Sequence, residues 1–421
     1  MTAVIHSRTM HKIWLALLAA LLVSVHSAIP LSAQSASLKA AIQNSRFDID
    51  VRDGALVGPG AVTLQDATFR TCYVFLGEDH GIAEVPEFSG ALLSDLVKHG
   101  TNTLALEVSP SIANQLSLEL ASPNPNRTTA AFLRQYPMTV PFYNTTEEFE
   151  FLKHAKARIG ASFRLIGFDQ EFFGASKFLL KQVGQEALTD DLREELSELQ
   201  KEEQQAYSKA EQSGKFEDLF LLSADEAKLQ AFATRLRSNG FNSTPFDDLL
   251  ASRRVYDMFA KDNYRSNEMR DLLMKRNFVR MHREAPPCGI LFKAGSNHGF
   301  RGVGPLYTRE LGNFLTETAD AYSNGGVHIL IVGGTGESLQ FQAVAAPMKA
   351  TPYDALSDGQ LQPLKPFLEM ALARKTWSLF DLKALRHFSE ASPDLQRYIY
   401  GYDFLIVIPH PTASHEIQDR K

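Results

Sequence analysis

The stretch YVFLGEDHG at residues 73–81 joins a short run of β-branched and aromatic residues directly to two acids and a histidine. A run of this composition predicts a buried β-strand over Tyr73 to Gly77. The residues from Glu84 to Val97 then place apolar side chains on one helical face, and Gly100 marks the end of that helix. A strand followed by a helix is the repeating unit of a parallel sheet. We therefore predict an α/β fold built outward from this strand.

The same alternation continues along most of the chain. A helix start is predicted at Thr145, where Thr-Thr-Glu-Glu matches a capping box, and further strand-like runs occur at residues 103–108, 163–168, 289–294, 327–332 and 404–408. Residues from about 190 to 284 differ, because they are rich in Glu, Gln, Lys and Leu and contain no strand-like run. We interpret them as a helical insertion or cap. The predicted fold class is α/β, with a mostly parallel central sheet flanked by helices and one helical insertion.

The N-terminus has the features of a secretory signal peptide. Two basic residues, Arg8 and Lys12, precede an apolar run from Ile13 to Val25, and a stretch of small residues ends at Ala33. The run is shorter than the roughly 20 apolar residues of a membrane-spanning helix. We therefore predict that residues 1–33 are removed. Residues 34–421 would then form one exported domain, periplasmic or secreted, with no membrane partner after cleavage.

The composition of the chain is acidic, with a formal net charge of −6 at pH 7. Loss of the predicted signal peptide would remove two basic residues and no acid, so the mature chain would be more acidic still. Such a protein lacks the basic surface that holds nucleic acid or anionic lipid. The predicted partner is a small-molecule substrate, with no nucleic acid.

Only two cysteines occur, Cys72 and Cys288, and each shortly precedes an apolar strand-like run. Two cysteines are too few for a disulfide framework. If their strands are neighbours, the sulfurs would meet at one end of the sheet, and an oxidising compartment would join them. The alternative, two unpaired cysteines in the core, is equally open on the sequence.

Ionisable residues follow four of the predicted strands at the point where each strand ends. Glu78 and His80 lie two positions apart, so both side chains would point to the same side of an extended backbone. The ends of the next three strands carry further candidates, which are Glu107, Asp169, Glu171, Asn297 and His298. Because ligands of open α/β sheets bind beyond the carboxyl ends of the strands, we expect these residues to converge on one site. Carboxylates close to imidazoles shift one another's pKa values, as acid–base chemistry requires.

Other candidate residues have stronger structural interpretations. Arg265 lies on a predicted long helix that ends the insertion, where a solvated arginine is ordinary. Arg301 follows His298 and would bind an anion or pair with an acid. His328 lies inside a strand-like run and is predicted to be packed in the core, while His410 ends the last strand. The chain has no Gly-x-Ser-x-Gly elbow, phosphate loop or His-Glu-x-x-His helix, which argues against a serine hydrolase of the usual α/β type.

These blocks resemble the erythromycin esterase-like superfamily, which also includes the Tiki proteases and the haem-binding ChaN lipoproteins. The resemblance covers most of the chain in short pieces and implies an α/β fold with its site at the strand ends. The matching pieces are residues 76–81, 104–107 and 167–169, Arg265 with Met269, and residues 295–299 and 402–408.

For the esterases, the resemblance implies metal-independent hydrolysis of an ester or lactone, with His80 activating water as general base. Glu78 and Glu107 would orient His80 or the water. Arg265 would stabilise developing negative charge, and His298 would bind the oxyanion or protonate the leaving group. No cofactor is expected on this hypothesis. Contacts to the substrate are predicted for Asp169, Glu171, Asn297 and Arg301.

Two departures from the esterases keep other functions open. Asp79 alone separates Glu78 from His80, where the esterases have two residues, and this spacing is closer to the Tiki and ChaN branches. The segment Ser296 to His298 supplies one histidine, where the esterases carry His-Asn-x-His. A first alternative is a metal-dependent peptidase in which Glu78, His80 and His298 bind Mn, Co or Zn. A second is binding of haem or another large ligand beneath the helical insertion, without catalysis.

Overall fold

The structure, a computed structural model, describes residues 31–284, 287–388 and 390–417. These residues form a nine-stranded sheet flanked by α-helices, together with a separate two-stranded hairpin. The predicted α/β fold class with a mostly parallel sheet is confirmed. The predicted signal peptide, apart from its last three residues, lies outside the described residues.

The sheet has the strand order β2-β1-β10-β11-β7-β3-β6-β4-β5, and β8 pairs with β9. The six strands from β11 to β5 in this order are parallel, whereas β1, β2 and β10 extend one edge in antiparallel pairing. In chain order the strands are β1 (Arg46–Arg52), β2 (Ala55–Val57), β3 (Tyr73–Glu78), β4 (Thr103–Leu106), β5 (Arg164–Gly167), β6 (Ile290–Gly295), β7 (Gly326–Gly333), β8 (Thr335–Gln340), β9 (Lys349–Asp354), β10 (Trp377–Asp381) and β11 (Phe404–Ile408).

All six parallel strands coincide with strand-like runs in the sequence, since strands buried on both faces are continuously apolar. The five antiparallel strands were not predicted. Their exposed positions interrupt the apolar pattern, as in β1, and β9 contains Pro352.

The α-helices flank the sheet on both faces. Along β3, Val74 and Leu76 pack in one hydrophobic cluster with helices α3 and α6, while Tyr73 and Phe75 pack in another with α12 and α13. In chain order the helices are α1 (Leu31–Asn44), α2 (Pro59–Thr68), α3 (Glu84–Leu96), α4 (Pro110–Ala121), α5 (Pro125–Gln135), α6 (Thr146–Ile159), α7 (Ser176–Val183), α8 (Asp190–Ser213), α9 (Phe220–Ser223), α10 (Glu226–Ser238), α11 (Thr244–Phe259), α12 (Asn263–Met281), α13 (Leu311–Ala321), α14 (Lys365–Leu372) and α15 (Pro393–Gly401).

Between β5 and β6, the residues that the structure describes form helices and connecting turns without a strand. The longest helix, α8, buries Leu192, Leu196 and Leu199 on one side. The last helix, α12, returns to the sheet and contacts β5. None of the helices in the described part of the chain combines the length and apolar character needed to cross a membrane.

Cys72 and Cys288 form a disulfide at the amino ends of β3 and β6. The two strands are neighbours, and Tyr73 lies opposite Ile290 in their register. This pairing decides between the two alternatives left by the sequence. The bond agrees with an oxidising compartment, and the location of the protein stays a prediction.

The disulfide closes a loop with a sequence separation of 216 residues. Cys288→Ser is therefore expected to lower the free energy of unfolding by about 2–5 kcal/mol, because the open loop gains conformational freedom when the chain unfolds. Urea denaturation of the oxidised wild type and the variant measures this difference. Wild type treated with a reductant is the control and should match the variant. Equal unfolding midpoints for oxidised wild type and variant would contradict the expectation.

Candidate active site

The carboxyl ends of four adjacent parallel strands bring the predicted residues together. Strands β3, β6, β4 and β5 are neighbours in this order. Glu78 ends β3, and Glu107 and Asp169 follow β4 and β5. His298 lies in a single 3-10 turn, Ser296–Gly299, after β6. The chain direction of a parallel sheet thus places residues more than 200 positions apart at one edge.

His80 lies between two carboxylates. Its Nδ1 is 3.1 Å from Glu78 Oε1, and its Nε2 is 3.3 Å from Glu107 Oε2. The side chain of His80 is 25% exposed, whereas those of the two acids are almost completely buried. The imidazole is therefore the member of this trio that a ligand can reach.

Glu107 accepts hydrogen bonds from several directions. The guanidinium of Arg270, on α12, donates to Glu107 Oε1 at 2.7 Å and to both oxygens of Asp169 at 2.6 and 3.0 Å. The backbone N–H of Gly295 donates to Glu107 Oε2. His298 Nε2 is 3.3 Å from Glu107 Oε1. These contacts fix the carboxylate as the centre of the site.

Lys293 lies behind the site on β6 and is fully buried. Its Nζ is 2.6 Å from Glu78 Oε2 and 2.6 Å from Glu148 Oε1 on α6. A buried cation is costly unless acidic partners compensate its charge. The lysine therefore fixes the orientation of Glu78, which in turn contacts His80.

A cleft of about 500 Å³ opens at this edge of the sheet. Of the ionisable groups described above, the cleft is lined by Glu78, His80, Glu107, Arg270 and His298. Its outer wall is more apolar and is formed largely by the β8–β9 hairpin, where Tyr353 donates a hydrogen bond to Asp79. The outer lining includes Phe142, Ser338, Leu339, Gln340, Phe341, Met348 and Tyr353.

The pKa values of the two histidines are raised. Burial opposes the charge on His80, but the hydrogen bonds and charges of Glu107 and Glu78 outweigh burial and raise its pKa to about 9. For His298, the same balance of burial against Glu107 and Glu310 raises the pKa to about 10. At neutral pH both rings are therefore protonated on both nitrogens and positively charged.

The two central acids remain ionised. Burial acts to raise the pKa of Glu107, but His298 and His80 hold it well below its usual range. For Glu78, Lys293 and His80 overcome burial and lower the pKa. The site thus combines two carboxylates with cationic imidazoles that each occupy a fixed position.

The predicted role of Arg265 is corrected by the structure. Arg265 lies in the first turn of α12 with an exposed side chain, and Arg270 takes the position beside Glu107 and Asp169. Five residues further along a helix correspond to about 7.5 Å of rise and a different face. The sequence block thus identified the helix that reaches the cleft, but Arg270 and not Arg265 contacts Glu107.

Two of the predicted substrate contacts also lie elsewhere. Arg301 donates to Asp403 at 2.6 Å and to the Gly326 carbonyl. It therefore pairs with an acid at the amino ends of β7 and β11. Glu171 is fully buried and is absent from the described lining of the cleft. Burial raises its pKa to about 8. Asp169 is buried and reaches the site through Arg270, whereas Asn297 lines the cleft, and its contact with a substrate stays a prediction.

The two remaining histidine candidates are separate from the cleft. His328 is fully buried on β7, where burial lowers its pKa to about 3, in agreement with the predicted core position. His410 is exposed and contacts the Thr335 carbonyl. Neither residue lines the cleft as described.

A metal site would need free ligand atoms that point to one centre. The nitrogens of His80 face Glu78 and Glu107, and those of His298 face Glu107 and Glu310. Within residues 31–284, 287–388 and 390–417, no group of three or more His, Cys, Asp or Glu side chains is arranged to hold a metal ion. In the described arrangement, the ring nitrogens of both histidines therefore already have carboxylate partners.

Three residues of the site were missed in the sequence. Lys293 could have been noticed as a lone cation inside the otherwise apolar run of β6. Arg270 was one of several arginines on α12, and local spacing does not distinguish them. Glu310, which lies 3.0 Å from His298 Nδ1, follows no strand and carries no sequence signal.

Comparison with known proteins places this geometry in a known fold. No family model matches the sequence, and no curated protein is significantly similar to it. Among the solved structures that match, three cover at least 85% of this chain. A mutant of the erythromycin esterase EreC in its open conformation superposes with a TM-score of 0.59 and 19% identity, covering 85% of this chain and 96% of that one.

A succinoglycan biosynthesis protein gives a TM-score of 0.57 at 15% identity, with 92% and 99% of the two chains covered. A Bacillus cereus protein gives 0.53 at 13% identity, with 92% and 100% covered. These identities establish similarity of fold. The resemblance drawn from the strand-end motifs is confirmed at this level, because the chain shares its fold with the erythromycin esterase EreC and the two other proteins.

Proposed function

We propose that this protein is a hydrolase of an ester, lactone or related carbonyl compound and that His80 activates the attacking water. The observation that carries the proposal is the placement of a partly exposed imidazole between two buried, ionised carboxylates at the floor of the cleft. A histidine oriented by a carboxylate on one nitrogen is suited to accept a proton on the other. The esterase named in the fold comparison supports this class of reaction.

The proposed reaction uses the two nitrogens of His80 differently. Glu78 accepts a hydrogen bond from Nδ1 and stabilises the imidazolium. Once Nε2 has lost its proton, it no longer donates to Glu107, 3.3 Å away, and it takes a proton from water as the water oxygen attacks the carbonyl carbon. The carbonyl oxygen becomes an oxyanion. When the bond to the leaving oxygen breaks, that oxygen receives a proton from an imidazolium. Water is thus consumed, and an acid and an alcohol are formed.

His298 and Arg270 supply positive charge at the opposite side of Glu107. His298 is held cationic by Glu107 and Glu310, so its Nε2 is a suitable donor to the oxyanion or the leaving oxygen. Arg270 is bound to two acids and is more suited to fixing Glu107 than to moving a proton. We therefore assign substrate contact to His298 and positioning to Arg270.

A substrate screen tests the proposal directly. p-Nitrophenyl esters of increasing acyl length, simple lactones and erythromycin form a suitable first panel, with release of acid followed by pH-stat. We expect the wild type to hydrolyse at least one member of the panel faster than buffer alone does. Absence of hydrolysis across the panel would argue against the ester and lactone class.

The rate of hydrolysis is expected to rise with pH up to about 9. His80 must be neutral to accept a proton, and its pKa of about 9 leaves only a small neutral fraction at pH 7. Below this pKa, kcat/KM should therefore increase about tenfold per pH unit. Above about pH 10, His298 loses the proton that it would donate, and the rate should fall again. The charged groups around the two rings include Glu78, Asp79, Glu107, Glu148, Arg270, Asp271, Lys293 and Glu310.

Glu107→Gln is the matched variant for this profile, because it keeps the shape of the side chain and removes its charge. The rising limb should move to lower pH in the variant, since the carboxylate no longer favours the charged form of His80. A wild-type profile that is flat between pH 6 and 8 would contradict the assignment of His80 as general base.

Elemental analysis and an absorption spectrum of the purified protein distinguish the two alternatives. Stoichiometric Mn, Co or Zn that is lost in His80→Ala would favour a metal-dependent peptidase. A Soret band would favour haem binding. Neither signal is required by the proposed mechanism, in which the described side chains hold and move every proton.

A further inference from the structure

Phe142 covers one face of the His80 ring. The centroids of the two rings are 3.6 Å apart and their planes differ by 10°, which is a parallel stack. Phe142 comes from the connection between α5 and α6, remote in sequence from β3, and lines the cleft. The contact is distinct from the two carboxylate contacts, because those lie at the nitrogens of the ring.

The backbone of Phe142 adopts a conformation that is costly for its residue type. Its φ of 60° lies in the left-handed region, where the Cβ of an L-residue is crowded by the following carbonyl. Strain of this kind persists only where the surroundings enforce it, and it is concentrated at functional sites. The strained residue here is the one that contacts His80.

Neighbouring contacts hold this strained segment in place. Tyr143 is fully buried, and its hydroxyl donates to the Lys293 carbonyl at 3.1 Å. On the other side, the N–H of Gly174 donates to the Met138 carbonyl at 2.9 Å, and the Thr139 hydroxyl donates to the Gly174 carbonyl at 3.2 Å. The position of the Phe142 ring is therefore set by contacts on both sides of it.

We propose that Phe142 is a positioning residue for the hydrolysis described above, holding the plane of the His80 imidazole between Glu78 and Glu107 at the floor of the cleft. Glu78 and Glu107 fix the ring within its plane, and the stacked phenyl ring resists tilting out of that plane. The phenyl face also favours the positive charge that the imidazole acquires when water loses its proton. This inference rests on the proposed function for its kinetic consequence, whereas the stacking itself is measurable without turnover.

Phe142→Leu tests the proposal. Leucine keeps an apolar side chain and, because it also has a Cβ, the same left-handed backbone cost, but it removes the aromatic ring. A small misplacement of a catalytic group is costly in rate, so kcat is expected to fall about 10- to 100-fold with a smaller change in KM. Phe142→Tyr, which keeps the ring, is the matched control and should retain most of kcat.

NMR of the His80 ring protons tests the stacking directly. If Phe142 only stabilised the fold, the chemical shifts of these protons would not depend on its ring. A phenyl ring stacked at this distance shifts those protons upfield, and the shift should be present in the wild type and Phe142→Tyr and lost in Phe142→Leu. Circular dichroism and thermal denaturation establish that Phe142→Leu is folded. Loss of the shift together with the fall in kcat supports the proposal.

Two results would overturn it. An identical His80 spectrum in wild type and Phe142→Leu would mean that the rings do not stack in solution. An unchanged kcat in a variant that has lost the shift would mean that the stack has no part in catalysis. A wild type that hydrolyses no substrate refutes the proposed function instead, and the spectrum still decides whether Phe142 holds the His80 ring.

Discussion

His80→Ala is expected to lower kcat by about two orders of magnitude or more, because removal of a positioned general base costs roughly 10²- to 10⁴-fold in rate. Stability should change much less. The side chain is partly exposed, and its loss leaves Glu107 with Arg270, His298 and the Gly295 N–H as donors. Steady-state kinetics on a substrate found in the screen measures the effect, and urea denaturation measures the stability.

His410→Ala is a suitable control for this experiment. His410 is exposed and contacts a backbone carbonyl outside the cleft, so its removal should leave kcat within about twofold and stability within the ±0.5 kcal/mol typical of surface changes. A His80→Ala variant that turns over substrate as fast as His410→Ala would remove His80 from the mechanism.

Lys293→Met is expected to lower the free energy of unfolding by about 3–5 kcal/mol, because it leaves the buried carboxylates of Glu78 and Glu148 without their shared cation. Methionine fills a similar volume, so the loss reports the charge more than a cavity. Activity should fall as well, since Glu78 loses the contact that orients it toward His80. Urea denaturation with circular dichroism measures the stability.

Lys153→Met provides the matched control. Lys153 pairs with Glu150 on the surface of α6, and exposed ion pairs of this kind contribute about 0–1 kcal/mol. Glu148→Gln is a milder test of the same buried group, because it removes one acid and leaves Lys293 paired with Glu78. Equal unfolding midpoints for Lys293→Met and Lys153→Met would show that the buried ion pairs do not stabilise the fold.

Much of the sheet could be predicted from local pattern. The parallel strands are short and buried on both faces, so their apolar runs are visible without any tertiary information, as at Tyr73–Glu78 and Phe404–Ile408. The antiparallel edge and the β8–β9 hairpin escaped prediction because their exposed residues are polar. Since the hairpin forms the outer wall of the cleft, the sequence predicted the residues on the strand ends better than the shape of the cleft.

The residues of the site divide in the same way into those that local pattern predicts and those that it does not. Glu78, His80, Glu107 and His298 were predictable because each ends a recognisable strand, and parallel strands end at one edge. The choice between Arg265 and Arg270 was not, because both lie on one amphipathic helix and only docking of α12 against the sheet decides which face meets Glu107.

The sequence by itself determined the order of the six parallel strands along the chain and the residues that stand at their ends, since both depend on contacts between near neighbours. Only the tertiary structure decided that β6 lies between β3 and β4, which places Lys293 beside Glu78 and joins Cys72 to Cys288. It also decided the surroundings that raise the pKa values of His80 and His298 and keep both rings positively charged at neutral pH. The physical reason is that strand order, burial and charge pairing arise from residues distant in sequence, whose proximity no local pattern specifies.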